Sequence, residues 1–440
     1  MNPRNLLAAA ILLAALCGAV WWANKHPQTT ETAGADKSAK VVDIAADTVQ
    51  QITVKKKDGS VLTLDRSSGQ WKITAPESLP ADQDSVGGLT SALAPLTADS
   101  VIADSAANAS QYGLSAPSLV VSVRHKDGKS DTISFGDDVP AGSLVYVQHA
   151  SDPKIYAVSS TSKSSFDKSV NDLRDKRLLT FNSDKLTSME LTTPKTNVVF
   201  GKTNQGDWQI AKPAPYRADS FQVEDLLRKL QDARMDLSAS AEDQKKIAAD
   251  FASGQVIGTA KTVDASGPQT LEIKKNKDNY YAKSSVVQGI FKVSNDLGSG
   301  FDKTLDDFRN HKLFDFGFND PTRLELRHNA TDTVYQKSGQ DWKQNGKTLD
   351  AATVQTVIDQ LRDLSASKFA ESGFHDPVAE VAVTSHDGKQ TERVSFAKAG
   401  DDYLAKRDNE APLYEVTGKT FDELLKNFGS IKPQAAASKK

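Results

Sequence analysis

Along the chain, apolar and polar residues alternate in short stretches and then switch to a helical period. The stretch "QITVKKKDGSVLTLDRSSGQWKIT", from Gln51, alternates on both sides of Asp58-Gly59. That pattern predicts a hairpin with a two-residue turn. Asp82, Asp219 and Asp350 each stand just ahead of apolar residues at helical spacing. These are Val86, Leu89 and Leu93; Val223, Leu226, Leu227 and Leu230; and Val354, Val357, Ile358 and Leu361. An aspartate there predicts an N-cap, accepting hydrogen bonds from backbone N–H groups that a helix start leaves unpaired. Gln222 falls at the N3 position of the second helix, which predicts a capping box.

These landmarks recur in the same order. Trp71, Trp208 and Trp342 precede the three helices, 137 (208 − 71) and 134 (342 − 208) residues apart. "VSVRHKDGKSDTISF" from Val121 matches "VAVTSHDGKQTERVSF" from Val381, with a weaker version, "LEIKKNKDNYYAK", from Leu271. Phe166-Asp167, Phe301-Asp302 and Phe421-Asp422 then mark a closing segment. The fold class is therefore α+β: three tandem repeats, each of antiparallel β-hairpins or sheet packed with one or two short helices. Each copy is long enough to bury its own core.

The closing segments read "SFDKSVNDLRDKRLLTFN" from Ser165 and "GFDKTLDDFRNHKLFDFG" from Gly300. Phe166, Val170 and Leu173, like Phe301, Leu305 and Phe308, fall on one face of a short helix. Arg174, Lys176 and Arg177 would lie at its C-terminal end, where cations suit the helix dipole. "LLTF" and "LFDF" lead into the next copy. The third version, "TFDELLKNFGSIKPQ", lacks the basic cluster and the apolar connector.

The N-terminus breaks the pattern, with an apolar run from Leu6 to Ala23. A helix over it is about 27 Å long, near the lower limit for crossing a bilayer. Trp21 and Trp22 spoil the cleavage sites of a signal peptide and suit the membrane–water interface. Leu16 stands where a lipoprotein signal needs a small residue before Cys17. The segment reads as an uncleaved anchor. Arg4 on one side and Lys25, Lys37 and Lys40 on the other leave the charge rule undecided. The five-residue leader and the single cysteine, Cys17, inside the apolar run favour export of the rest.

A formal net charge of −3 over 440 residues gives no sign of a nucleic-acid binder, which would need a basic surface to neutralise phosphates. His125 and His386 sit beside Asp-Gly turns and read as exposed turn residues. His26, His149, His311, His328 and His375 are scattered. Gly-Lys pairs at Gly128, Gly346 and Gly418 lack the phosphate-loop glycine five residues earlier, where Val123, Asp341 and Leu413 stand. The tryptophans read as core plugs rather than a stacking surface. Asp137-Asp138, Asp306-Asp307 and Asp401-Asp402 occur in different contexts and read as loops and solvated helix faces. No catalytic, cofactor-binding or metal-ligating residue is assigned.

The unit "W-x-I…P…AD…V…L", closed by "FD…LRDKRLL-F" behind an N-terminal anchor, resembles the bacterial proteins grouped as domain of unknown function 4340. The resemblance covers nearly all of the chain after the linker. The third copy departs from it, with Asn345-Gly346 in place of the proline segment and no basic connector. It implies an accessory role on the outer face of the cytoplasmic membrane, beside a gliding-motility-type ATP-binding-cassette exporter and a membrane-anchored partner. It brings no catalytic residues.

In the expected organisation, a cytoplasmic leader (1–5) and a transmembrane anchor (6–23) precede a polar linker (24–42). Repeat units over 43–181, 182–316 and 317–432 come next, then a disordered tail (433–440). The expected function is a non-enzymatic, membrane-anchored extracytoplasmic accessory or scaffold subunit of an ABC-type transport or cell-envelope complex. The alternative is a periplasmic binding module for an extracellular polymer, glycan or peptide. Expected partners are the membrane and a transporter's permease and ATPase subunits or another envelope protein, with no cofactor and no nucleic acid. The expected location is the bacterial inner membrane, with the bulk of the chain periplasmic.

Overall fold

The computed structural model describes residues 39–140 and 142–435. The expected leader and anchor, most of the linker and the end of the tail lie outside the described residues. No described helix is long and apolar enough to cross a membrane.

Among the described residues, three large antiparallel sheets of nine, eight and nine strands succeed one another along the chain, with a two-stranded one beside the first. Each large sheet is made of two sets of hairpin-linked strands whose first strands lie side by side. These central pairs are Val49–Lys56 with Leu119–His125, Ser188–Thr192 with Gln255–Asp264, and Arg323–His328 with Pro377–Ser385. Between the two sets runs a helix: Gln83–Ser91, Ser220–Gln231 or Ala351–Asp363. In the first and third sheets a short strand after that helix pairs with the last strand. In the second, the helix Ala241–Ser253 occupies this part of the chain. The chain divides into two compact units, Met1–Lys176 and Arg177–Lys440, so the second and third sheets share one unit.

The helices form as the spacing predicts. Asp82, Asp219 and Asp350 accept from the backbone N–H of Ser85, Gln222 and Thr353 at 2.8, 3.2 and 3.0 Å. The apolar positions at helical spacing all face a core, and Trp71, Trp208 and Trp342 are 6%, 7% and 6% exposed within three separate clusters. Replacing any one capping aspartate by alanine is expected to cost about 1 kcal/mol. Urea denaturation of the three single variants would show similar losses.

Several expectations need correction. Lys56 N–H donates to Ser60 O and Gly59 N–H to Lys56 O, both at 3.0 Å, with Gly59 at φ 87°. The first hairpin therefore closes through three residues, the last left-handed and suited to glycine, rather than two. Gln222 makes no capping box; its Oε1 accepts from Lys303 Nζ. The closing segment is not one helix in the first two copies. Ser160–Phe166 stops, and Ser169 and Asp172 start a fresh turn with their own capping box. In the second copy Asn295–Gly300 stops before a turn at Asp306–Phe308. The apolar positions are buried all the same, with Phe166, Leu173, Phe301 and Phe308 no more than 1% exposed. Only the third copy has a continuous helix, Gly418–Gly429.

A backbone clasp ties the end of each closing segment to the start of the main helix. Asp82, Asp219 and Asp350 donate their own N–H to the carbonyls of Leu173, Phe308 and Lys432 at 2.8, 2.8 and 2.9 Å. In return Asp175, Asn310 and Gln434 donate to Pro80, Arg217 and Thr348 at 2.9, 2.9 and 3.0 Å. Arg174 stands at the C-terminal end of the turn Val170–Leu173, as expected, as its C-cap in an extended conformation that bridges Ala81. The third copy makes the clasp with Lys432 to Gln434, so order continues past the expected start of the tail at Pro433.

The expected linker also ends too late. Lys40–Val42 is a strand paired with Leu96–Thr97. Its counterparts are the connectors, where Leu178 N–H donates to Ala233 O at 2.9 Å and Leu313 N–H to Leu364 O at 3.0 Å. Val41, Val42 and Ile44 match Leu178, Leu179 and Phe181, then Leu313, Phe314 and Phe316, all buried. The offsets are 137 (178 − 41) and 135 (313 − 178). Each copy therefore begins on its apolar connector, a few residues before the starts expected at 43, 182 and 317.

Candidate functional site

A cleft of about 720 Å³ opens within the second compact unit, where the second and third sheets meet. One wall comes from the second sheet, through Trp208, Pro215, Tyr216 and Arg217. The other is the turn Asn409 to Pro412, which joins the strands Asp402–Arg407 and Leu413–Val416. Asn409 adopts φ 60°, a left-handed conformation that asparagine tolerates.

Arg217 organises the cleft floor. It lies two residues before the cap Asp219, where the other copies hold Pro80 and Thr348. The clasp fixes its backbone, because its carbonyl accepts from Asn310 N–H. Its guanidinium donates to Asp315, to Glu410, to the carbonyl of Lys312 and, at 3.0 Å, to the Tyr414 hydroxyl. Burial opposes its charge, but Asp315, Tyr414 and Glu410 outweigh that and hold its pKa above the ordinary value. Burial pushes the Tyr414 phenol up; Arg217 works against this, and Glu410, accepting from that hydroxyl at 2.9 Å, adds to it.

A second arginine extends the network. Arg407 donates to Glu410 at 2.8 Å, to Glu392 at 3.0 Å and to the carbonyl of Leu313. Glu392 in turn accepts from Asp315 N–H at 2.9 Å. Nearby, the Arg309 guanidinium is held between rings, 4.3 Å from Tyr216 and 3.4 Å from Phe369. Charge-assisted bonds and stacking thus join residues of two sheets across the unit.

The first copy holds a separate polar network. Asp131 bridges two imidazoles, His125 Nε2 at 2.7 Å and His149 Nε2 at 2.9 Å. Their other ring nitrogens meet Thr48 Oγ1 at 3.1 Å and Ser151 Oγ at 2.9 Å. The side chain of His125 is only 15% exposed, which corrects its reading as an exposed turn residue. His386 is half-buried beside Ser385 Oγ at 2.9 Å. Among the described residues, no group of three or more His, Cys, Asp or Glu is placed to hold a metal ion.

Beside this network, burial pushes the Tyr156 phenol up to about 12, helped by Asp152, which accepts from it at 2.5 Å. A raised phenol binds its proton more tightly in the folded state, so it stabilises below the unfolded value of about 10. That stability is lost as pH rises from there towards 12. In alkaline absorbance titrations, the difference between the native chain and Tyr156→Phe is expected to isolate one late phenol.

The other residues weighed in the sequence are dispersed. Asp306 pairs with Arg309 at 3.1 Å, Asp307 accepts from Thr304 N–H at 2.6 Å, and Asp402 from Gly418 N–H at 2.9 Å. Gly418-Lys419-Thr420 is the first turn of a helix capped by Thr417. Motif and spacing did not single out Arg217, Asp315, Glu410 or Tyr414. The signal for Arg217 was available once the copies are aligned on their caps, since "PYRAD" puts a charge where "LPAD" and "KTLD" have none.

A family model matches the chain twice, over residues 71–250 and 208–383, under the description Domain of unknown function (DUF4340). The chain belongs to this family. Both DUF4340 matches begin on a repeat tryptophan, Trp71 and Trp208, and each runs from one copy into the next. No curated protein and no solved structure matches the chain.

Proposed function

We propose that this DUF4340 protein is a non-enzymatic accessory or scaffold subunit of an ABC-type transport or cell-envelope complex, held by its N-terminal segment on the outer face of the cytoplasmic membrane. One observation carries the reading. The features that recur in all three copies serve packing and closure: tryptophans in the cores, aspartates capping helices, and the clasp. A chain that repeats construction and repeats no chemistry suits a spacer that presents surfaces to partners. The apolar run at Leu6 to Ala23 supplies the attachment. The alternative, polymer binding through three equivalent aromatic clefts, is weakened by the burial of Trp71, Trp208 and Trp342.

The location is testable with one cysteine. In a Cys17→Ala background, Ser68→Cys places a thiol at an exposed position of the first unit. A membrane-impermeant maleimide is expected to label it in spheroplasts without lysis. Labelling only after lysis would overturn the extracytoplasmic reading.

A further inference from the structure

The cleft between the second and third sheets keeps hydrogen-bonding capacity that the protein leaves unused. Arg217, Asp315 and Glu410 are occupied with one another. Asp207, Gln209, Ser220 and Asn409 line the same cleft, and among the described residues their side chains make no hydrogen bond. Gln209, Ser220 and Asn409 can each donate and accept. Pro215, Tyr216 and Pro412 add apolar surface, while Trp208 beneath them is buried in the core. The volume, about 720 Å³, lies in the range of sites that enclose small molecules.

We propose that this cleft binds an uncharged oligosaccharide. A sugar ring presents C–H faces that lie on aromatic and proline surfaces, and hydroxyls that both donate and accept. The unused groups match that mixture. An anionic ligand is disfavoured, because the one cation on the lining, Arg217, already faces two carboxylates, and Asp207 adds a third. An extended peptide is disfavoured for another reason: strand addition needs an open sheet edge. The edge strand Tyr216–Arg217 has its own partner, with Arg217 O accepting from Asn310 N–H at 2.9 Å. The cleft has no counterpart built on equivalent residues, since Pro80 and Thr348 replace Arg217 in the other copies. This inference stands apart from the accessory reading, and either can fail alone.

The test uses the full-length chain in a detergent without a sugar headgroup. Maltotetraose, cellotetraose and tetra-N-acetylchitotetraose are titrated by calorimetry, with a sulfated heparin tetrasaccharide and tetralysine as charged controls. At least one neutral probe is expected to bind, and neither control. The double variant Gln209→Ala/Asn409→Gly removes two side chains that make no other hydrogen bond, and glycine keeps the left-handed turn at 409 without strain. It is expected to weaken binding about tenfold or more while leaving the thermal midpoint unchanged. Three outcomes overturn the proposal: no neutral probe binding at millimolar concentration, equal binding by the double variant, or binding of a charged control alone.

Discussion

Arg217→Met is expected to destabilise the second compact unit by about 3 kcal/mol, because it strips the partner from half-buried carboxylates. The Arg217 side chain is 20% exposed, with Glu410 at 21% and Asp315 at 33%. Removing the guanidinium leaves Asp315 with Asn310 Nδ2, at 3.2 Å, in place of a cation, and takes the Arg217 bond from the Lys312 carbonyl. Arg407 still reaches Glu410, which is why the low end of the range for breaking a buried pair applies. Arg217→Lys should rescue little, since one ammonium cannot serve four acceptors spread over a planar fork. Hydrogen exchange under urea resolves the effect by region. Peptides after Arg177 should lose protection earlier, while those of the first sheet keep theirs. Unchanged protection across the second and third sheets would refute the role given to Arg217.

Phe308→Ala carries a comparable cost, about 3–5 kcal/mol. Phe308 is fully buried and meets Phe200 edge to face with ring centres 5.0 Å apart. Its carbonyl also holds the Asp219 N–H, so the cavity opens beside the clasp. Phe221 supplies the control. It is 74% exposed on the first turn of the following helix, and Phe221→Ala should change stability by no more than about 0.5 kcal/mol. Equal losses in the two variants would show that the closing segment is not part of the second core.

The legible parts of this fold were those carried by local chemistry. Asp82, Asp219 and Asp350 announce helices because a cap and its apolar stripe are adjacent in sequence. The tryptophans announce cores because they recur at one offset. The closing segment was harder, because Ser169 is as good a cap as a helix residue and restarts the chain between two buried positions. The first connector was missed because Val41, Val42 and Ile44 come after a polar run and resemble its end. Only their pairing with Leu96–Thr97 places them with Leu178 and Leu313. The cleft was hidden for a physical reason. Arg217, Asp315 and Glu410 lie 98 (315 − 217) and 95 (410 − 315) residues apart, and only the junction of two sheets brings them together. Likewise Asp131 joins His125 to His149 across neighbouring strands, which no spacing along the chain reveals.

The central claim is that this chain works as part of a membrane complex. The direct measurement is cross-linking in the native host, gentle detergent extraction of the tagged full-length chain, and identification of its partners by mass spectrometry. Co-recovery of a transporter permease together with its ATPase, in fixed proportion to the bait, is the predicted result. Recovery of the chain alone, as a stable monomer with no membrane partner, would contradict it.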